Sequence, residues 1–200
     1  MPLLTLRYYS HYIFSHIPWG HWAVMAVVSL AWTVILLIRK KCSVYGAIAL
    51  GLTVFMGLFL LDTAVGIRYL GIMRHTSGHN LELDFSRMFQ KSGQGPVEAL
   101  SNIAVYVPFG FFLGEWLTSL NRTGSWRRLG LVTLTAFGLS LCVECLQLVL
   151  HVGFFELTDL VLNTLGAFIG VSFAILSRIV LHLLPLNRND KNEIHSRLSE

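Results

Sequence analysis

Charge is scarce in this sequence. Lys, Arg, Asp and Glu together supply 13% of its 200 residues, where a soluble domain carries about 25%. A chain so poor in charge cannot cover its own surface with polar groups. With 54% hydrophobic residues and a mean hydropathy of +0.62, its solvent is expected to be lipid. Cysteine is scarce as well. Cys42, Cys142 and Cys145 permit no disulfide framework, and Cys142-Val-Glu-Cys145 has redox spacing but lies inside an apolar run, which points to packing. No G-x-S-x-G, phosphate-cradling glycine loop, dinucleotide fingerprint, HExxH or paired CxxC occurs, so no cofactor and no metal are expected. His75 and His79, with Glu82 and Asp84 nearby, are the closest approach to a metal cluster. Gly78 interrupts their helical spacing, and exposed loop histidines are the expected reading. The opening MPLLTLRYYSHYIFSHIPWGHW lacks the basic start and small-residue cleavage site of a signal peptide, so the first apolar run is expected to be retained. Internal repeats and low-complexity tracts are likewise missing.

What the sequence does have is long apolar runs. A run of about 20 apolar residues spans a bilayer, and five occur here: about Trp19 to Ile38, Val44 to Ile67, Val97 to Leu120, Leu129 to Leu150 and Leu157 to Leu184. Trp19, Trp22, Trp116 and Trp126 lie near their ends, where amphipathic rings favour the membrane interface. The fold class predicted is all-α, a polytopic transmembrane helix bundle of about five spans. Residues 1–78 form an N-terminal region with two spans, 79–184 a region with three, and 185–200 a polar tail.

The formal net charge of +4 and pI near 9.2 carry topology information and do not point to nucleic acid, because the basic residues fall in short clusters between apolar runs. Alternating the segments places Arg39, Lys40, Lys41, Arg122, Arg127, Arg128, Arg178, Arg188, Lys191 and Arg197 on one side. Arg7, Arg68, Arg74, Arg87 and Lys91 fall on the other. That bias predicts the N-terminus outside and the C-terminus in the cytoplasm. Residues 68–96 form the one sizeable extramembrane loop.

An ionisable group inside a span costs about 2.5–3.5 kcal/mol at the centre on insertion scales, so it faces the bundle interior or water. Helical spacing puts Asp159, Asn163, Gly166 and Gly170 on one stripe of the fifth span, its small residues allowing another helix to approach closely. Ser140, Glu144, Gln147 and His151 share a face of the fourth by the same arithmetic, with Cys142 and Cys145 pointing away. The third span opens with Glu98 and Asn102, and Glu156 lies with His151 in the turn between spans four and five. All these groups fall at one height, near the outer leaflet. They form a candidate polar site of Glu98, Asn102, Glu144, Gln147, His151, Glu156, Asp159 and Asn163. The competing reading is structural, since buried amides and carboxyls also bond helices together, at roughly 0.6–2 kcal/mol each. Asp62 and Glu115 are expected to be interface-seeking charges outside the site. Pro108-Phe-Gly-Phe-Phe-Leu-Gly114 is expected to be a kink with a small-residue packing face.

Two stretches carry a resemblance. Ser101-Asn-Ile-Ala-Val-Tyr-Val-Pro-Phe-Gly-Phe-Phe-Leu113, and Glu144-x-x-Gln147 followed by Asp159-Leu-Val-Leu-Asn-Thr-Leu-Gly-Ala-Phe-Ile-Gly170, resemble the VanZ-like family of bacterial membrane proteins. The likeness covers about residues 80–170, and the Asp159–Gly170 stretch is its most specific part. The family often has an arginine and two further aspartates ahead of the last span. Here that turn reads His151-Val-Gly-Phe-Phe-Glu-Leu-Thr-Asp159. The resemblance implies a multi-pass protein of the bacterial cell envelope, linked to susceptibility to the glycopeptide teicoplanin. Its expected partners are membrane lipid and a lipid-linked or glycopeptide ligand. Two other roles stay open. One is a membrane enzyme with Glu144 or Asp159 as general base and His151 or Glu156 as acid. The other is an accessory or transport subunit, which no broken-helix repeat favours.

Overall fold

A computed structural model describes residues 17–39, 43–66, 81–82, 95–120 and 124–183. Five long helices account for nearly all of them: α1 Trp19–Ile38, α2 Val44–Leu61, α3 Gly95–Ser119, α4 Ser125–Val149 and α5 Leu157–Leu183. Each is long and apolar enough to cross a membrane. The chain is a multi-pass helical bundle, with boundaries within a few residues of those expected from hydropathy. Residues 68–80, including His75 and His79, Asp84 and the polar tail, for which the sequence raised expectations, lie outside the described residues.

The helix ends have local causes. Pro18 precedes α1, and the Ser43 hydroxyl caps α2 by accepting from the Gly46 N–H at 3.2 Å. A π-helical turn, Asp62–Gly66, extends α2. α4 ends in a Schellman arrangement, in which the Val152 N–H reaches the Gln147 carbonyl and the His151 N–H that of Leu148. That closure puts His151 at φ 60°, a left-handed conformation usually left to glycine. Four residues after His151, Phe155–Glu156 (β2) pairs in parallel with Leu81–Glu82 (β1).

Within the spans no water is at hand, and hydroxyls turn back onto their own helix. Ser29, Thr53, Thr133, Thr164 and Ser172 each donate to the carbonyl four residues earlier.

α3 and α5 form the closest pair. A Cβ on Gly110 would collide with the Ala167 backbone, one on Gly166 with the Ile103 carbonyl, and one on Gly170 with that of Val107. These glycines bring two backbones into contact, the small-residue route to helix association in lipid. α3 runs through Pro108 without a break. Around this seam Leu60, Tyr106, Phe109, Leu113, Val132, Ala136, Ala167 and Val171 make one core to which α2, α3, α4 and α5 all contribute. α1 is peripheral. It packs on α2 through Met25 and Trp22 against Phe55 and Phe59, and 11% of its most apolar 18-residue stretch is buried against 44% of the corresponding stretch of α5.

Candidate functional site

The polar residues of the third, fourth and fifth spans meet at one end of the bundle. Asn102 on α3 donates its side-chain N–H to Asp159 Oδ1 at 2.7 Å, joining the start of α3 to the first turn of α5. One turn further along α5, Asn163 donates to Ser140 Oγ on α4 at 2.9 Å, both groups being buried. Tyr106 of α3, 4% exposed, has Ser140 and the Glu144 and Asp159 carboxylates in the electrostatic surroundings of its hydroxyl. Glu144, 2% exposed, takes the backbone N–H of Glu156 on its Oε2 at 2.8 Å, so β2 is held by α4. Gln147 is buried too, and donates to the Ala64 carbonyl in the π turn at 3.0 Å.

Local folding explains why these groups converge. Asn102 and Tyr106 are four apart on α3. Asp159 and Asn163 are four apart on α5, and Ser140, Glu144 and Gln147 run along one stripe of α4. Each set therefore lies on a single helix face. The glycine seam then sets the height of α3 against α5, which brings Asn102 level with Asp159.

Six of the eight expected site residues are thus placed. Asn102, Glu144, Gln147, Asp159 and Asn163 are joined through their side chains, and Glu156 through its backbone. His151 is exposed. α4 stops at Val149, and the left-handed turn ends the register that would have carried the imidazole onto the Glu144 face. Glu98 lies in the first turn of α3, and its side chain is outside the described residues. Tyr106 is the member that sequence reasoning passed over. A tyrosine one turn after Asn102 in an apolar span was a usable signal. The part played by Ala64 is a backbone carbonyl and leaves no trace in the sequence. Cys142 and Cys145 are exposed on the far side of α4, as the spacing predicted.

Asp62 and Glu115 depart from the expectation that they seek the interface. Glu115 is 2% exposed at the opposite end of the bundle, where it accepts from Arg178 Nη2 at 2.7 Å and from the Tyr45 hydroxyl. The Arg178 guanidinium also sits over the Tyr45 ring, 5.2 Å from its centroid. Asp62 holds His21 Nδ1 at 2.8 and 2.9 Å through its two oxygens. Both partners were remote in sequence, so neither pairing could be read from helical spacing.

The VanZ/LLP1 family model matches residues 44–180. The chain belongs to the VanZ/LLP1 family. The matched stretch takes in α2 as well as α3, α4 and nearly all of α5, and it begins after α1. Among curated proteins the chain is similar to Protein VanZ of Enterococcus faecium, 28% identical over 93 residues, 46% of this chain. It spans about half (52%) of that relative's length. No solved structure matches. Every residue placed in the VanZ-like polar cluster lies within the matched region. Among the described residues no group of three or more His, Cys, Asp or Glu side chains is gathered as a metal site would require.

Proposed function

We propose that the Asn102–Asp159–Asn163–Glu144 cluster is a binding site that opens to the outer leaflet and receives the polar head of a lipid-linked or glycopeptide-like envelope ligand. On this reading the protein affects susceptibility to teicoplanin-type antibiotics, as the family resemblance implies. The observation that carries it is the convergence of two carboxylates, three amides and a phenol from three spans at one end of the bundle. Helix adhesion alone needs fewer polar groups, since the glycine seam already joins α3 to α5. Acceptors and amide donors set side by side suit a ligand rich in hydroxyls and amides.

The test replaces polar atoms while keeping shape. Asp159→Asn and Glu144→Gln should abolish the envelope phenotype of the wild-type gene, read as teicoplanin susceptibility of a complemented deletion strain at equal protein abundance. Full phenotype in both variants would overturn the reading. Its orientation is tested separately by a Ser92→Cys variant, which should react with an impermeant maleimide on intact cells. Reaction only after permeabilisation would put the cluster in the inner leaflet.

A second reading has one observation in its favour: Glu144 and Asp159, on different helices, share the surroundings of a single tyrosine hydroxyl. In a membrane enzyme acting on a lipid head group, one carboxylate would serve as general base and the phenol would orient the substrate. This version requires a lipid product that disappears in both variants, detectable by comparing lipid extracts of the complemented strains.

A further inference from the structure

The π-helical turn has two faces. On one, the Ala64 carbonyl holds Gln147 of the polar cluster. On the other, Asp62 holds His21 at the rim of an open cleft of about 530 Å3 between α1, α2 and α4. Val24, Val28, Leu58, Leu61, Val65 and Leu146 line it, and the volume lies within the range of ordinary ligand sites. His21 to Val28 is two turns of helix, so the apolar trough runs about 10 Å inward from the polar pair. Val24 on its wall is 62% exposed, which opens the trough sideways between two spans, where the bilayer supplies acyl chains.

The rim is specific in a way a lipid-facing surface is not. Nδ1–H of His21 donates to the Asp62 carboxylate, which as a four-site acceptor retains capacity for further donors. A Cβ on Gly66 would collide with Asp62 Oδ1, so glycine at that position leaves room for the carboxylate where it stands.

We propose that this cleft binds one phospholipid of the ethanolamine class, with an acyl chain in the trough and the headgroup ammonium on Asp62. The site lies on the α1 side of the turn, separate from the Asp159 cluster, and does not depend on the function proposed for that cluster. A primary ammonium donates hydrogen bonds and matches the carboxylate in charge. The trimethylammonium of a choline headgroup has no N–H, so the two headgroups compete on the same chain length and the same net charge.

The full chain is reconstituted in vesicles doped with phosphatidylethanolamine or phosphatidylcholine, each carrying a photoreactive acyl chain, and the labelled peptides are mapped. The ethanolamine probe should label residues 21–28 and 58–66 about tenfold more than the choline probe does, the scale of one charge-assisted hydrogen bond. Asp62→Asn should erase that preference, and Val24→Trp, at an exposed position that tolerates bulk, should lower labelling of both stretches. Equal labelling by both probes, or labelling spread evenly onto the exposed Leu131, Leu134 and Phe137 of α4 and unchanged by Val24→Trp, would show ordinary bilayer contact and overturn the proposal.

Discussion

Among the described residues, the two ends of the α3–α5 pair each contain carboxylate, and it meets different groups at each end. At the Glu115 end, a buried carboxylate meets a guanidinium and a phenol, so charge is matched by charge. At the Asp159 end, the carboxylates of Asp159 and Glu144 meet an amide N–H and a backbone N–H, with buried Asn163, Ser140 and Gln147 around them. The ends are about 20 Å apart along α3, from Asn102 to Glu115. A buried carboxylate neutralised by a partly exposed guanidinium suits a clamp that fixes α2 to the α3–α5 pair. A carboxylate- and amide-rich cluster suits recognition, because dipoles and acceptors can serve a ligand as well as one another.

The most severe test removes what holds the two ends in register. Gly170→Leu drives a side chain into the Val107 carbonyl and should cost about 4 kcal/mol or more, read as loss of the folded fraction in detergent on size exclusion and thermal unfolding. A variant that folds normally would show that the seam is not what sets the height of Asn102 against Asp159. Next comes Glu115→Ala, which strands the Tyr45 hydroxyl and the Arg178 guanidinium. Removing one partner of a buried pair costs about 3–5 kcal/mol. Arg178 is 38% exposed and can reach solvent at the helix end, so about 2–3 kcal/mol is expected in thermal unfolding.

Asn102→Ala sharpens the contrast from the other end. It removes one interhelical hydrogen bond, about 1 kcal/mol, yet should remove the antibiotic phenotype, whereas Glu115→Ala should reduce phenotype only in proportion to protein abundance. If the pattern is reversed, the clamp and the recognition site have been assigned to the wrong ends. The smallest effect concerns the turn beside the cluster. His151→Gly relieves a left-handed residue and should stabilise the protein by about 1 kcal/mol, with the phenotype intact because the imidazole is exposed. Loss of phenotype there would bring His151 back into the site.

Much of this was legible from single-helix periodicity. Asp159 and Asn163, and Glu144 with Gln147, were assigned to buried stripes because residues four and three apart share a helix face whatever surrounds the helix. Glu115 shows where that reasoning stops. Its position near a span end matched a charge seeking the interface, and only the arrival of Tyr45 from 70 residues upstream and Arg178 from 63 residues downstream made burial tolerable. His151 shows the converse, since a stripe drawn through it assumes a helix that the Schellman turn has already ended.

Composition and apolar run length were enough to establish the five spans and their ends, because in lipid every backbone polar group must be satisfied within its own segment and the bilayer thickness sets the length. They also named the seam glycines Gly166 and Gly170, since a bare Cα is a property of the residue itself. Pairing across helices followed other rules. Which carboxylate met an amide, which met a guanidinium, and which met a histidine at the edge of a cleft depended on the relative height of helices that contact only when packed. That height is a property of the assembled bundle, set by the close approach of α3 to α5.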